Sequence, residues 1–580
     1  MSRFVTVFRD RSMAVAAAVL MLMRVSAQSF QPDVPKNGIL GTCTAPVPEH
    51  YLQIAQPHSH FLDASEEHKA RDETLEALQN LQGMFFKPWL GTWRGVEQWQ
   101  TAFLVSCLAG VILSLSEDIT KTTQLTTINA IERYFTSITS AFLNQNVDDM
   151  IINAHDDKLW VAVSWIEFAR MIRIYSRRHY SDHSPLRNDV SGDWHGTLWL
   201  PLMATRAVIF WQASTSDSDA FACQGGITWD HRLPEYKNSI TNQLCMMTAI
   251  EMYHSLPQNW RHTFLNEIEE SSFEPVNDDQ HLRAAVASHE WIAGANLTNG
   301  NDVFVDGWHF TGGGKSVQPV LGTRDETVYT YNQGVILGAL RGLWDATATS
   351  CFLEDGHKLI QNVIKSTGYD LANDKPFKNR IVHEYMRIPL WQGLGRAGVL
   401  EDYCDISGDC TNDVKLFKAI FVHYFTRFCL PLDQKDFPPT LVLDTQTVTA
   451  VTAAHHKSCA SYLGWIAHNA RAALGTRDSN GRFGMWWTDG LYTAALRSFQ
   501  VIPNHVDIPF RSSHVDSHFF DNFMITIGNP NEQRSGRTAA TQASGTMVVK
   551  AWWSLLRALR PKTETVAAAH AHDGLCREYF

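Results

Sequence analysis

The sequence predicts an all-α fold, on three observations. Apolar residues recur at three- and four-residue spacing from about residue 66 to residue 560, the period of a helix with a buried face. Alternating apolar–polar runs bounded by hairpin turns, the mark of strands, are scarce. The connections between periodic segments are long and carry Gly, Asp, Trp and His, which places chemistry on loops above a helical scaffold. No short repeat of near-identical sequence is visible, so a solenoid is not expected.

Taken in order, the chain opens with Arg3, Arg9 and Arg11, then the apolar run "MAVAAAVLMLM" from Met13 to Met23, then Val25-Ser26-Ala27. This is the layout of a secretory signal over residues 1–27. A spanning helix needs about 20 apolar residues, and Arg24 ends this run after 11, so no stable membrane span is expected. Residues 28–65, rich in Pro, Gly and polar side chains, read as an extended lead-in. Helices are predicted within Thr126–Asn144, Asp157–Tyr175, Ser239–Leu256, Thr330–Thr347, Asp413–Phe428 and Ser458–Leu474. These segments place one helical domain over residues 66–560, followed by a C-terminal tail, 561–580. The tail "HAHDGLCREYF" lacks the apolar end of a lipid-anchor signal, so a released product is expected.

With 580 residues, 44% of them apolar, the chain has enough material for a large core. Its net charge of −11 and the lack of a long basic run exclude nucleic acid as the expected partner. A monomer is expected. Ten cysteines in a secreted chain point to disulfides, and Cys404 and Cys410 in "CDISGDC" are close enough to bridge. No CxxC or HExxH occurs, so neither metal nor cofactor is expected. The doublet His455-His456 and the "HAH" at His570–His572 read as solvated. The string "TGGGKS" (Thr311–Ser316) mimics a phosphate loop, but the glycine such a loop requires falls at His309. Asn296-Leu297-Thr298 is a glycosylation sequon in a turn-forming context.

The stretch "NAHDDKLWVAVSWIEFARM" places adjacent carboxyls, Asp156 and Asp157, at the mouth of an apolar helix. From Leu159 to Ile174 the polar exceptions are Ser164, Glu167, Arg170 and Arg173, three apart. That spacing leaves one narrow polar stripe on a helix otherwise packed all round. Helix capping explains one aspartate there, and Asp148-Asp149 and Asp278-Asp279 show that the dipeptide alone is no signature. What sets Asp156-Asp157 apart is His155 before it and Trp160 and Trp165 after it. Tryptophan offers a flat apolar face for a sugar ring. Glycosidic cleavage uses two carboxyls, about 5–5.5 Å apart for retention, and neighbours on a chain reach that separation readily. Asp306, in "VDGW", is a fallback acid.

These residues carry a resemblance. "DDKLWVAVSWIEF" resembles the signature of glycoside hydrolase family 76, the endo-α-1,6-mannanases. "GTWRGVEQWQTA" (Gly91–Ala102), "CQGGITWDHRLPEYKNSITNQL" (Cys223–Leu244), "TYNQGVILGAL" (Thr330–Leu340), "EDYCDISGDCTNDVKLFKAIFVHYF" (Glu401–Phe425), "GRFGMWWTDG" (Gly481–Gly490) and "TQASGTMVV" (Thr541–Val549) resemble further family elements in the family's order. The resemblance spans roughly residues 75–555. It implies an (α/α)6 toroid with a groove at one end, Asp156 as nucleophile and Asp157 as general acid/base. It also implies sugar contacts at Trp99, His155, Trp160 and Trp229, and at Asn242, Tyr331, Asn332 and Gln333. The implied substrate is α-mannan polysaccharide or oligosaccharide, cleaved at α-1,6 bonds within the chain. Transfer of mannan chains to another acceptor in wall assembly, and mannan binding with weak turnover, are the alternatives. His155, Thr228 and His423 depart from residues common in the family, which bears on the groove rather than on the carboxyl pair.

The expected location is therefore secreted, extracellular or cell-wall associated. N-terminal sequencing of protein secreted from a glycosylating host should read Gln28 first, and peptide mapping should find a glycan on Asn296. Retention of Met1, or bare Asn296, contradicts these expectations.

Overall fold

The long apolar segments fold as helix hairpins, each an outer helix followed by an inner one. A computed structural model describes residues 64–119, 123–180, 194–215, 226–233, 236–255, 279–309, 322–377, 389–432, 445–492, 501–502, 526–527, 529–532 and 536–560. The leader, nearly all of the lead-in, Cys223, Thr311–Ser316, His570–His572 and the tail after Arg560 lie outside the described residues. The last two residues assigned to the lead-in already belong to the first helix, which begins at Ala64.

The hairpins are α1 (Ala64–Asn80) with α2 (Gln98–Glu117), α3 (Gln124–Asn144) with α4 (His155–His179), and α5 (Leu200–Thr215) with α6 (Ser239–Ser255). They continue as α7 (Asp279–Gly294) with α8 (Thr330–Thr347) and α9 (Ser350–Ser366) with α10 (Asn412–Phe428). In the sixth, α11 (Thr445–Ser461) and α12 (Leu463–Gly475) precede the inner α13 (Ala539–Ala558). The inner helices α2, α4, α6, α8, α10 and α13 pack in that order into a closed ring, and the others pack around it. The molecule is an (α/α)6 toroid.

Burial separates the two rings. On α4 every residue from Lys158 to Ala169 is buried, whereas α9 buries the stripe Phe352, Leu353, Gly356, His357, Leu359, Ile360, Val363 and Ile364, and its last residue, Ser366. A helix packed all round needs apolar residues on every face; an outer helix needs one stripe. Close approach inside the ring rests on small residues. At Gly334 on α8, an added Cβ would stand 2.5 Å from the Phe421 Cα of α10. The helix Gln98–Glu117 has the length and hydropathy of a membrane span, yet it is an inner helix with most of its residues buried.

Two corrections to the sequence reading follow. The segment Ser458–Leu474 is not one helix: it spans the end of α11 and most of α12, with Tyr462 at the break. The apolar spacing runs through the break because Tyr462, Leu463 and Trp465 are all buried. His455 is not solvated. It is buried, with its Nδ1 2.9 Å from Nε2 of His357, while His456 is exposed. Cys404 and Cys410 are bridged. A second bridge, Cys429–Cys459, joins the end of α10 to α11 and was not read from sequence.

The polar stripe of α4 faces the ring's interior. Glu167 accepts from Arg427 Nη1 at 2.8 Å, Arg427 also pairs with Glu251 of α6, and Arg170 lies 3.8 Å from Glu251. Burial alone would raise the Glu167 carboxyl, but His423 and Arg427 outweigh it and hold it at about 2. A guanidinium removed from this centre strands two buried carboxylates. Arg427→Leu should therefore lose about 3–5 kcal/mol of stability, read by urea unfolding at pH 7. Adding Glu251→Leu should recover part of that loss. A change under about 1 kcal/mol would mean that this centre is not holding the ring.

Candidate active site

The six inner helices are parallel, so their N-termini meet at one end of the toroid. Gln100 Nε2 of α2 donates to Asp413 Oδ1 of α10 at 2.8 Å, and Ser544 Oγ of α13 donates to the Lys415 carbonyl at 2.8 Å. Ser239, the first residue of α6, donates its amide to the Asp306 carbonyl at 2.7 Å. Free N–H groups and the positive ends of helix dipoles therefore gather there, an environment that favours anions.

Asp156 and Asp157 occupy the first turn of α4, half-buried. The cap position is Ala154, with no side-chain cap bond, so neither aspartate is the helix cap. Asp156 accepts two N–H groups: Trp229 Nε1 to Oδ2 at 3.1 Å, and the Asp157 amide to Oδ1 at 3.0 Å. Asp157 is placed otherwise. The acids Glu97, Asp413 and Asp230 act on it, opposed by Lys158 and by Arg232, which also pairs with Asp230, and Lys158 Nζ is engaged by the Ala213 carbonyl at 3.2 Å.

Both carboxyls are raised. Burial, and then Asp157, push Asp156 well above the ordinary carboxylate range, against the N–H donors that lower it. Burial, and then Glu97, Asp413 and Asp230, push Asp157 to about 7. Adjacent carboxyls resist joint ionisation, so the pair keeps a proton near neutral pH. The donors on Asp156 lower its carboxyl, but burial and Asp157 outweigh them, so the proton is held by the pair as a whole.

The loop carrying Trp229 is fixed from several sides. The Trp229 carbonyl accepts the His155 amide at 2.8 Å, and its amide donates to the Tyr236 carbonyl at 2.9 Å. Asn242 is buried: its Oδ1 accepts the Ile227 amide at 2.6 Å, and its Nδ2 donates to the Ile227 carbonyl at 3.1 Å. Beside this loop a short antiparallel sheet, β3 (Tyr236–Asn238), β4 (Gly307–His309) and β5 (Thr323–Asp325), carries Asp306 at its edge. The first two strands of the chain, β1 (Phe86–Lys87) and β2 (Thr92–Trp93), form the hairpin before α2. Asp306 accepts from Tyr236 Oη, from Asn332 Nδ2 at 3.2 Å and from Tyr331 Oη at 3.5 Å. Burial raises it to about 6.

Sequence-predicted residues divide accordingly. Asp156, Asp157, Trp229, Tyr331 and Asn332 gather around the N-termini of α4 and α8. Tyr331 stacks on Phe417, centroids 3.8 Å apart, and Trp99 sits in the first turn of α2, beside Gln100, the donor to Asp413. Trp160 is elsewhere: it is 2% exposed, in the core between Trp99 and Phe103. His155 is buried. Gln333 is spent on backbone, accepting the Phe304 amide and donating to the Phe304 and Tyr329 carbonyls. His155, Asn242 and Gln333 thus hold the loops that surround the site. Glu97, Asp413 and Tyr236 were missed. The Glu97–Gln100 capping box was the available signal for Glu97.

The raised Asp157 gives a pH dependence with a definite sign. Its folded pKa, about 7, exceeds the unfolded value of about 3.9. Its contribution to stability is thus fully present below pH ~4 and lost as pH rises through ~7. Asp157→Asn, which keeps the shape without the charge, should gain on the wild type between pH 5 and pH 8, by about 1–3 kcal/mol. Urea unfolding at the two pH values checks this; parallel curves would place Asp157 in a solvated setting.

Residues 197–495 match glycosyl hydrolase family 76. The matched span holds Trp229, Asp306 and Tyr331–Gln333, and begins after the aspartate pair that Trp229 contacts. No curated protein matches the chain. Among solved structures it is similar to an inactive variant of an α-1,6-mannanase from Salegentibacter sp., with two consecutive aspartates replaced by alanine, in complex with α-1,6-mannotetrose (16% identity, 84% of this chain and 99% of that one, TM-score 0.45). It is similar to Dfg5 from Chaetomium thermophilum in complex with glucosamine (13% identity, 85% and 91% covered, TM-score 0.48). It is also similar to a family 76 mannosidase from Bacteroides thetaiotaomicron (11% identity, 84% and 99% covered, TM-score 0.46). By its matched span and its toroid, the chain belongs to glycosyl hydrolase family 76 and is a glycoside hydrolase.

Proposed function

We propose that the protein is a secreted, retaining glycosidase that cleaves α-1,6-mannosidic bonds within mannan chains. The observation that carries this reading is the unequal setting of two adjacent carboxyls. Asp156 has two N–H donors, while Asp157 faces three acids. Such a pair holds a proton near neutral pH, which supplies one acid and one carboxylate; which of the two attacks is carried over from the family resemblance.

Asp156 Oδ attacks the anomeric carbon as the glycosidic C–O bond breaks, and protonated Asp157 gives its proton to the leaving oxygen. Asp157, now a carboxylate, then takes a proton from water, which attacks the same carbon and frees Asp156. Two inversions give net retention. The pair's adjacency suits the short separation that retention needs. Trp229 and Tyr331 stand beside the carboxyls and offer ring faces and a hydroxyl to the sugar, while the fully buried Asn332 holds Asp306. The α-1,6 linkage and attack within the chain are carried over from the family resemblance. Secretion is supported by the bridges Cys404–Cys410 and Cys429–Cys459, since disulfides persist in oxidising compartments. The exposed turn at Asn296, with φ 51°, supports the glycan. A single domain over residues 66–560 with a separate tail is part of this reading.

Incubation with linear α-1,6-manno-oligosaccharides, with products read by mass, tests the reaction. Shorter products are expected, longer ones mean transfer, and an unchanged substrate contradicts the reading. Asp156→Asn and Asp157→Asn should each lower turnover by about 10²–10⁴-fold or more, with melting temperature little reduced. The two should differ on a substrate with a good leaving group. Asp157→Asn needs no proton there, and azide should intercept its intermediate with net retention. Asp156→Asn forms no covalent intermediate, so azide should give an inverted product. Near wild-type cleavage by either variant returns the pair to a structural role.

A further inference from the structure

The hairpin before α2 presents a tryptophan that the core does not use. Trp89 is 71% exposed and Leu90 56%, at the turn between β1 and β2. Single exposed apolar residues are ordinary on protein surfaces, so position and rigidity must decide whether this one matters.

The turn is rigidly held. Phe86 and Trp93, paired across the hairpin, are both buried with ring centroids 4.9 Å apart. The Leu90 amide donates to the Lys87 carbonyl at 2.9 Å, and the Arg94 amide to the Phe85 carbonyl at 2.7 Å. Gly91, at φ +57°, lies so close to α3 that an added Cβ would stand 2.3 Å from the Ser140 oxygen. Lys87 Nζ lies 5.6 Å from the Trp89 ring centroid, which orients the ring. The exposure of Trp89 is thus imposed by a fixed turn, and a preset aromatic face loses little freedom on binding.

Its place is the catalytic end. The hairpin leads into Glu97 and the first turn of α2, and Asn412 Nδ2 of α10 donates to the Gly95 carbonyl at 3.0 Å. The eight peptide units from Trp89 to Glu97 span at most about 29 Å, a reach that several linked hexoses cover. Glu97 is one of the acids facing Asp157.

We infer that Trp89, with Leu90, is a remote subsite that stacks on a hexopyranose of a long glycan chain whose other end lies at Asp156 and Asp157. The inference rests on the proposed glycosidase reading and adds a chain-length preference to it. Sugar rings carry C–H-rich faces that fit flat aromatic surfaces. A membrane surface fits less well, since the chain's net charge is −11.

The test compares wild type, Trp89→Ala and Trp89→Phe on α-1,6-manno-oligosaccharides of increasing length. Trp89→Ala should lower kcat/KM about three- to tenfold on long chains and leave trimers unchanged, with Trp89→Phe close to wild type. An equal loss at every length overturns the inference, since the hairpin would then act through the fold. No loss at any length also overturns it, with the glycosidase reading intact. If the wild type cleaves no mannan, that reading fails, and affinity electrophoresis in mannan decides the subsite alone: slower migration of wild type than of Trp89→Ala supports it, and equal migration overturns it. Trp89-dependent sedimentation with neutral lipid vesicles would assign the turn to a membrane instead.

Discussion

The structure depends on keeping several carboxyls together at one end of a helical ring. Asp156, Asp157, Asp306, Asp413 and Glu97 lie at or beside inner-helix N-termini. Lys158, one of the cations near Asp157, is tied to a backbone carbonyl. What offsets the repulsion is the parallel run of the inner helices, which brings free amides and positive dipole ends to the same place. The opposite end is arranged the other way. Arg341 donates to the carbonyls of Phe428, the last residue of α10, and Leu430 just after it, and Arg557 to the Ser114 carbonyl near the end of α2. Acids at amide ends and arginines at carbonyl ends are the same electrostatic rule applied twice. Alternation of outer and inner helices is what makes both ends possible.

The loops at the acidic end are held by side chains that satisfy backbone. Asp402, in the disulfide loop, accepts the Thr330 amide at 2.9 Å and its hydroxyl at 2.7 Å, covering the start of α8. Asp405 pairs with Lys418 of α10, and the ammonium lies 5.3 Å from the Trp487 ring centroid. Buried groups of this kind are costly when half-satisfied and rigid when complete. They fix the loop "EDYCDISGDC" against two inner helices, and so fix Tyr331 and Asn332 relative to Asp306.

Much of the frame was legible because burial writes a period into sequence. Thr330–Thr347 is the helix predicted, residue for residue, and Asp157–Tyr175 lies wholly within α4. Periodicity failed at Tyr462, where two helices share one apolar phase across a break. The aspartate pair was legible because charge beside an apolar run is anomalous. Its environment was not: Glu97, Asp157 and Asp413 are far apart in sequence and meet only through the ring. Sequence also could not say which tryptophan faces the site. Trp160 lies nearer the pair along the chain, yet Trp229, from a loop more than 70 residues on, makes the contact.

The position of Trp160 shows what the core aromatics contribute. Trp99 packs on Trp160 with centroids 5.9 Å apart, Trp160 on Phe103 at 5.6 Å, and Phe103 on His423 at 5.7 Å. His423 Nε2 then lies 3.6 Å from Glu167, in the charged centre held by Arg427. A packed column therefore runs from the acidic end, where Trp99 stands beside Gln100, the donor to Asp413, down to the ion pairs inside the ring. Close-packed interiors resist small displacements, and carboxyls that share a proton are sensitive to displacement because their interaction varies with separation. The tryptophans beneath the site act through rigidity: they hold the first turn of α2, whose Gln100 donates to Asp413, and through it the charge that Asp157 meets.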